Sequence, residues 1–248
     1  MGGINIVQSP LSTERVVAFT TLRPGGVSQA PFNSLNLAGH VGDNPDHVAE
    51  NRARIADYLP GCSPPVWLEQ VHGVRVVAAH DVAAGEMPVA DASWTSRPGL
   101  PLVVLTADCL PIVLVNRAET KVAIAHAGWR GLAAGILPQL MRHLGNPQDL
   151  RAWIGPGILQ PAFEVGSDVV RAFVGSLGKQ VLSCFQQGVE SEKFYADLPA
   201  LAKIYLQRAG VLNISGGTWC TATDSKKFFS HRRDGLTGRM ATIVALLP

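Results

Sequence analysis

The chain alternates between short apolar runs and segments in which apolar residues recur at helical spacing. The runs are rich in Val, Ile and Leu and are bounded by turn residues, which is typical of buried strands. The segment 66–79 has the pattern of two short strands that are interrupted at His72 and Gly73. Single strands are predicted in RVVAFTTLR (15–23), LPLVVLTAD (100–108), LPIVLVN (110–116), KVAIAHA (121–127), DLRAWIGPGI (149–158) and RMATIVALL (239–247).

Helical spacing and capping residues predict four helices. The first, 44–59, has Asn44 as N-cap and Pro45 in the first helical position. The second, 131–145, should be kinked at Pro138 or begin there. The last two, 167–178 and 197–210, open with Ser or Asp and close with Gly. Strands in runs with interspersed helices predict an α+β fold of mixed β-sheets covered by helices. No linker divides the chain, so we expect a single domain spanning residues 1–248.

Composition and charge exclude several classes of protein. The 248 residues are 47% hydrophobic and 16% charged, with a formal net charge of +2 and no basic stripe for a nucleic acid polymer. No apolar run approaches the ~18 residues of a membrane span, and MGGINIVQSP lacks the pattern of a signal peptide. The four cysteines are widely spaced, which favours free thiols in a reducing compartment. We therefore expect a cytoplasmic protein without a membrane role, and the sequence predicts no protein partner.

Three residues that could ligate a metal lie at strand ends. His72 precedes Gly73, Cys109 follows Asp108 in TADC, and His126 ends the apolar run VAIAHA. Taken singly, each has an ordinary structural role, such as a turn histidine or a small buried thiol. Strand ends on one edge of a sheet converge, however, and two imidazoles with one thiolate suit zinc, with a fourth position left open. The thiolate would also accept copper. The same residues allow a different chemistry, in which Cys109 is a nucleophile and His126 its base.

Seven blocks of the sequence resemble a known family. The chain is similar to the bacterial multicopper polyphenol oxidase or laccase-domain proteins, a family now described as zinc-dependent purine nucleoside phosphorylase-type enzymes. The resemblance covers nearly the whole chain in order. It is carried by TTLRPGGVS (20–28), FNSLNLAGHVGD (32–43), EQVHGVRV (69–76), LTADCLPIVL (105–114), AHAGWRGLAAGIL (125–137), FEVGSDV (163–169) and FFSHRRDGLTGRMATI (228–243).

The resemblance implies a site and a reaction. It makes His72, Cys109 and His126 the zinc ligands and implies phosphorolysis of inosine, guanosine, adenosine and methylthioadenosine, with adenosine deamination as a second activity. A copper-dependent phenol oxidase follows from the older family name, but the chain has only seven histidines and no HxH pair. A cysteine hydrolase acting on peptidoglycan precursors and a non-enzymatic binding role are the remaining alternatives. The loop at Leu159 and Gln160 departs from the family pattern, which leaves the substrate specificity open.

Further residues supply candidate roles in that chemistry. Asp108 is either a catalytic proton shuttle or an acid that orients Arg130 or a backbone donor. Arg23, before Pro-Gly-Gly, and Arg130, in GWRGL, are candidate substrate-binding residues that would hold phosphate. Trp129 either stacks on a base or plugs the core. Arg232 and Arg233, in SHRRDG, are further candidates for binding phosphate, although a basic turn is usually solvated. His231 lies in the same turn, where its ordinary role is structural. No function is assigned to His40, His47, His80 and His143.

Overall fold

Two β-sheets form the centre of the structure, a computed structural model that describes residues 4–248. The strands are β1 (Ile6–Gln8), β2 (Val16–Thr21), β3 (Val76–Ala78), β4 (Ala92–Thr95), β5 (Leu102–Thr106), β6 (Leu110–Asn116), β7 (Val122–Ala127), β8 (Leu150–Ile154), β9 (Glu164–Gly166), β10 (Phe185–Gln187), β11 (Lys193–Ala196), β12 (Asn213–Gly216) and β13 (Met240–Leu246). The first sheet has the order β1-β2-β13-β5 and is antiparallel throughout. The second has the order β12-β8-β6-β7-β4-β3. It is mixed, because the edge strand β12 runs parallel to β8 and the edge strand β3 runs parallel to β4, whereas the inner pairs are antiparallel. A small third sheet has the order β10-β11-β9.

The helices cover the outer faces of these sheets. They are α1 (Pro45–Ala56), α2 (Trp129–Ala133), α3 (Ile136–Met141), α4 (Ser167–Leu177), α5 (Leu198–Arg208) and α6 (His231–Asp234). Short 3₁₀ turns lie at Ala79–Asp81, Pro147–Asp149, Gln160–Ala162 and Lys179–Cys184.

Side chains alternate between the two faces of each strand, and this alternation explains how the sheets and helices are layered. In β6, Val113 and Val115 pack with residues of β5 and β13 in a core between the two sheets, whereas Ile112 and Leu114 pack with α3, α4 and α5. In β5 and β13 the alternate residues, such as Ile243, pack outward with Ile55 of α1. The result is two sheets packed face to face with helices outside each, and the predicted α+β class is confirmed.

The consecutive strands β5 and β6 belong to different sheets, so the chain passes from one sheet to the other at Ala107–Cys109. Asp108 takes a positive φ of 95° there, which a non-glycine residue adopts only in tight turns. This turn carries the thiol predicted to be functional.

Several local predictions need correction. The helix at 131–145 is two helices, α2 and α3, because Gly135 adopts φ +94° between them; Pro138 lies in the first turn of α3, where proline is tolerated, and breaks nothing. In 66–79 only β3 is a strand, and Val66 and Glu69 make isolated bridges. Gly166, not Ser167, caps α4. The N-caps Asn44 and Asp197 are confirmed by hydrogen bonds that their side chains accept from Asp46 N and Ala200 N.

The cysteines and the helix lengths bear on the cellular setting. All four cysteines are free thiols, as their spacing predicts. Within residues 4–248, no helix is both long enough and apolar enough to cross a membrane.

Candidate metal centre

The pairing of β6 with β7 and the turn before β3 bring His72, Cys109 and His126 together. Leu110 pairs with Ala127, so Cys109, one residue earlier, lies beside Gly128. His72 lies in the tight turn before β3, where it adopts φ +60°. The ligand atoms of the three side chains all lie within 4.8 Å of one another, and Cys109 Sγ is 3.7 Å from His72 Nε2. The structure therefore brings together the three residues that the sequence singles out, although His72 lies in a turn and not at the end of a strand.

These distances fit a tetrahedral zinc ion. Zn–S and Zn–N bonds of about 2.3 and 2.0 Å separate sulfur from nitrogen by roughly 3.5 Å. Two imidazole nitrogens and a thiolate are also the donor chemistry that zinc accepts. Three protein ligands leave a coordination position without a protein donor, as catalytic zinc sites do.

One buried carboxylate, Asp91, fixes the two imidazole-bearing segments. The next residue, Ala92, pairs with Ala125 in the antiparallel β4–β7 ladder, so Asp91 lies beside His126. His126 Nδ1 donates to Asp91 Oδ1 at 2.8 Å, and this bond leaves Nε2 free as a ligand atom. The same carboxylate accepts the backbone N–H groups of His72 (2.9 Å) and Gly73 (2.7 Å). A fully buried acid thus orients both histidines.

Two glycines allow the close approach. A Cβ on Gly128 would lie 2.8 Å from His72 Cδ2 and 2.9 Å from Cys109 Sγ. A Cβ on Gly131 would lie 2.7 Å from the Gly73 carbonyl oxygen. Real Cβ atoms do not approach neighbours this closely, so the GWRG sequence is required sterically for the cluster.

Electrostatics within the cluster favour the metal-binding form of the thiol. Burial raises the pKa of the Cys109 thiol, but the His126 charge and the hydrogen bonds from His126 and His72 outweigh burial and lower this pKa to about 6. Burial lowers the pKa of His126, but the Cys109 charge and the Asp91 hydrogen bond raise it to about 9. For Asp91, burial acts to raise the pKa, and the bonds to His126 and Gly73 lower it below its usual range. A thiolate is the species that binds metal or attacks an electrophile.

A cavity of about 360 Å³ opens over the cluster. Its other titratable side chains are His40, Arg130, His231 and Arg239, and Gln70, Leu105, Thr106 and Ala107 complete the lining. Arg130, predicted to bind substrate, therefore does lie at this site, with its guanidinium 4.4 Å from the ring centre of Trp129. Trp129 packs against the core, the second of its two predicted roles.

A larger cavity of about 680 Å³ adjoins the first. His40, Gln70 and Leu105 line both. The Gln70 amide accepts from Leu105 N (2.7 Å) and donates to Leu105 O (2.8 Å), so the wall between the cavities is rigid. Trp67, Leu68 and Met87 make the second cavity largely apolar, and the Arg52 guanidinium lies 3.9 Å over the Trp67 ring.

Other predicted residues lie away from the cavity. Arg23 lines a separate cavity of about 440 Å³ and donates to Asn33 O (2.7 Å) and Asn33 Oδ1 (3.1 Å). The loop residues Leu159 and Gln160 line neither the cavity of the cluster nor the adjoining one, and Gln160 donates to the Tyr195 carbonyl at 3.2 Å.

Asp108 is buried behind the cluster. Its carboxylate accepts from the Thr221 hydroxyl at 2.7 Å and from the backbone N–H of Arg232 at 2.6 Å. The contact with a backbone donor is one of its two predicted roles. No Asp108 contact with Arg130 occurs among the described hydrogen bonds, and Asp108 is absent from the cavity lining, so the proton-shuttle role stays a prediction.

Sequence reasoning missed Asp91, His40 and Arg239. An acid between two alanines at the start of β4 is the one local signal for Asp91, because an isolated carboxylate in an apolar stretch needs a partner. His40 and Arg239 both lie inside the blocks that resemble the family, but the residues next to them in the sequence do not indicate that either side chain lines a cavity.

Comparisons with known proteins agree along the whole chain. Residues 17–247 match the family described as multi-copper polyphenol oxidoreductase laccase. The chain is 48% identical over 235 residues to the purine nucleoside phosphorylase YfiH of Escherichia coli, covering 94% of each chain. It is also 48% identical over 233 residues to a purine nucleoside phosphorylase of Pseudomonas aeruginosa, again with 94% of each covered. The crystal structure of a Neisseria meningitidis protein superposes with a TM-score of 0.92 at 42% identity, covering all of both chains.

Proposed function

Because the chain belongs to the multi-copper polyphenol oxidoreductase laccase family, we propose that it is a purine nucleoside phosphorylase. The observation that carries this proposal is the near-full-length similarity, at 48% identity, to proteins named for that activity. The reaction would join phosphate to C1′ of the sugar and break the C1′–N9 bond, releasing the purine and ribose 1-phosphate. Inosine, guanosine, adenosine and methylthioadenosine are the substrates we expect, with adenosine deamination as a side activity.

The two cavities support a nucleoside and phosphate as partners. Their volumes lie in the range of about 300–1,000 Å³ that small-molecule sites occupy. The cavity over the cluster is polar and cationic, which suits the sugar and phosphate, and the adjoining cavity has the apolar and aromatic lining that suits a purine. Arg130 lies in the cationic cavity and is the predicted arginine that we retain for binding substrate.

We assign zinc to His72, Cys109 and His126. A zinc ion held there would supply a Lewis acid beside the cavity. The protein itself presents the thiolate of Cys109, and the bond from His126 Nδ1 to Asp91 leaves Nε2 as the atom with which His126 would bind the metal. Residues 4–248 contain one such three-ligand group, whereas a four-electron copper oxidase needs several copper ions, so zinc fits better than copper. The free cysteines agree with an enzyme of the reducing cytoplasm.

Release of hypoxanthine from inosine, measured by chromatography with and without phosphate, tests the proposal. We expect turnover that requires phosphate and that is lost in Cys109→Ser and His126→Ala. Cys62→Ser is the matched control, because Cys62 is a free thiol outside the cluster, and it should retain activity. Turnover that ignores phosphate and survives His126→Ala would refute the assignment.

A second candidate function has one specific observation in its favour. Cys109, with its pKa lowered to about 6, and His126, bonded to Asp91, form the nucleophile, base and orienting acid of a cysteine hydrolase. Such an enzyme could cleave an amide bond in peptidoglycan precursors. Chelation separates the two functions: a hydrolase would remain active without metal and be blocked by iodoacetamide, whereas the phosphorylase would be lost with its zinc.

A further inference from the structure

The cavity over the cluster holds two arginines against one anionic group in its lining, the thiolate of Cys109. His40, Arg130, His231 and Arg239 line it, and no carboxylate does. Among the ion pairs of residues 4–248, none involves Arg130 or Arg239. A guanidinium withdrawn from water without a counter-ion destabilises the protein until an anion arrives. The excess of positive charge therefore favours an anionic ligand.

Arg239 is the better oriented of the two arginines. It precedes β13, and because Met240 pairs with Thr106, Arg239 lies beside the turn that carries Cys109. Its Nη1 donates to the carbonyls of Thr237 (2.8 Å) and Gly238 (3.0 Å), which fixes the guanidinium plane. The Nε and Nη2 donors have no acceptor among the described residues. Arg239 is half-buried, and burial lowers its pKa more than the nearby charges of Cys109 and Asp108 raise it.

Thr106 adds a second unsatisfied donor at the same place. Thr106 is one of the residues that line the cavity, and its buried hydroxyl has no hydrogen-bond partner within residues 4–248. Buried hydroxyls are nearly always hydrogen-bonded, so an unpartnered one in a cavity wall indicates a ligand oxygen. His40 lines the same cavity. Burial, and then the charges of Arg239 and Arg52, lower the pKa of its imidazole, so it joins the group as a neutral hydrogen-bonding side chain.

We propose that Arg239, Thr106 and His40 form a phosphate subsite beside the metal cluster. The assignment rests on the proposed function for its role in catalysis and names the residues that hold the second substrate. The fixed fork of Arg239 matches the geometry of a phosphate group, and the Thr106 hydroxyl donates to another of its oxygens. Arg130 is exposed and stacks on Trp129, so it contributes charge at the edge. Arg23, engaged with Asn33 in a different cavity, takes no part.

Equilibrium dialysis of the zinc-loaded protein with radiolabelled orthophosphate, without nucleoside, tests the subsite. Arg239→Met should weaken phosphate binding by about 100-fold, because charge-assisted bonds are lost, and Thr106→Val by about ten-fold. Thr106→Val is the sharper variant, since it removes a hydroxyl that bonds to nothing in the protein and leaves the fold intact. Ser93→Ala is its matched control: Ser93 also has a buried, unpartnered hydroxyl but lies outside the cavity lining, so phosphate affinity should not change.

The outcomes separate this subsite from the proposed function. Phosphate binding that depends on Arg239 and Thr106 in a protein without phosphorolytic activity would uphold the subsite and refute the phosphorylase assignment. Phosphorolysis whose phosphate KM is unchanged in both variants would refute the subsite alone. A parallel dialysis with inosine 5′-monophosphate distinguishes the source of the phosphate group, because retention of the nucleotide without retention of orthophosphate would overturn the subsite as a site for free phosphate.

Discussion

At the scale of single residues, Asp91 determines how the cluster is built. One carboxylate bonds the His126 ring and the backbone on both sides of the His72 peptide, so the two histidines cannot move independently. The His72 ring then lies 4.7 Å from the His126 ring, nearly perpendicular to it. Loss of a partner that orients a metal ligand in this way typically lowers the metal affinity by about 10–100-fold.

The charge balance among these residues predicts how Cys109 reacts in the metal-free protein. With a pKa lowered to about 6, Cys109 is a thiolate in about nine-tenths of molecules at pH 7 and becomes a thiol as the pH falls below 6. Alkylation by iodoacetamide should therefore rise with pH around a midpoint near this pKa rather than near the ~8.5 of a free cysteine. Peptide mass spectrometry of the alkylated protein, at pH values from roughly 4.5 to 9, measures the midpoint.

Two comparisons control this experiment. Burial raises the pKa of Cys62, so its alkylation should begin only at higher pH in the same samples. In His126→Gln the main cationic partner is gone, and the Cys109 midpoint should move upward. A Cys109 midpoint equal to that of Cys62 would show that the histidines do not stabilise the thiolate.

At the scale of elements, strand register and one turn decide which side chains meet. β6 and β7 pair so that Cys109 and Gly128 are neighbours, and β4 pairs with β7 so that Asp91 meets His126. The chain leaves β7 through Gly128 directly into α2. A side chain at this single position would occupy the space in which the ligands meet.

Gly128→Ala should therefore damage the metal site more than the fold. Gly128 has φ −63°, which alanine adopts without strain, so the effect comes from the 2.8 and 2.9 Å contacts of the new Cβ with His72 and Cys109. We expect zinc affinity, measured by competition with a chromophoric chelator, to fall by roughly 10–100-fold. The matched control is Gly175→Ala in α4, where a Cβ meets nothing within 4 Å and zinc affinity should be unchanged. Equal zinc affinity in the two variants would contradict the steric role of Gly128.

At the scale of the whole molecule, the sequence predicts the centre of the fold better than its edges. The long apolar runs became β2, β5, β6, β7, β8 and β13, because continuous burial on both faces leaves a strong local signal. The edge strands β1, β3 and β12 have three or four residues each and depend on distant partners. The edge strand β5 was predicted because all five of its residues are buried. The same reasoning applies to the site. Cys109 and His126 were predictable from their positions at strand ends and His72 from the His-Gly turn, whereas Arg239 matters only because β13 pairs with β5.

Because the cluster joins distant parts of the chain, metal removal should lower the stability of the whole molecule. A ligand that binds only the folded state at 100 times its Kd stabilises it by about 2.7 kcal/mol. For a chain of this length that corresponds to a fall in Tm of roughly 5–10 °C on exhaustive chelation, measured by calorimetry, with recovery when zinc is restored. In His72→Asn, which removes one ligand while keeping a residue that tolerates φ +60°, the chelator should change Tm little. If the wild-type Tm is the same with and without zinc, or falls equally in His72→Asn, then the metal does not stabilise the fold through this cluster.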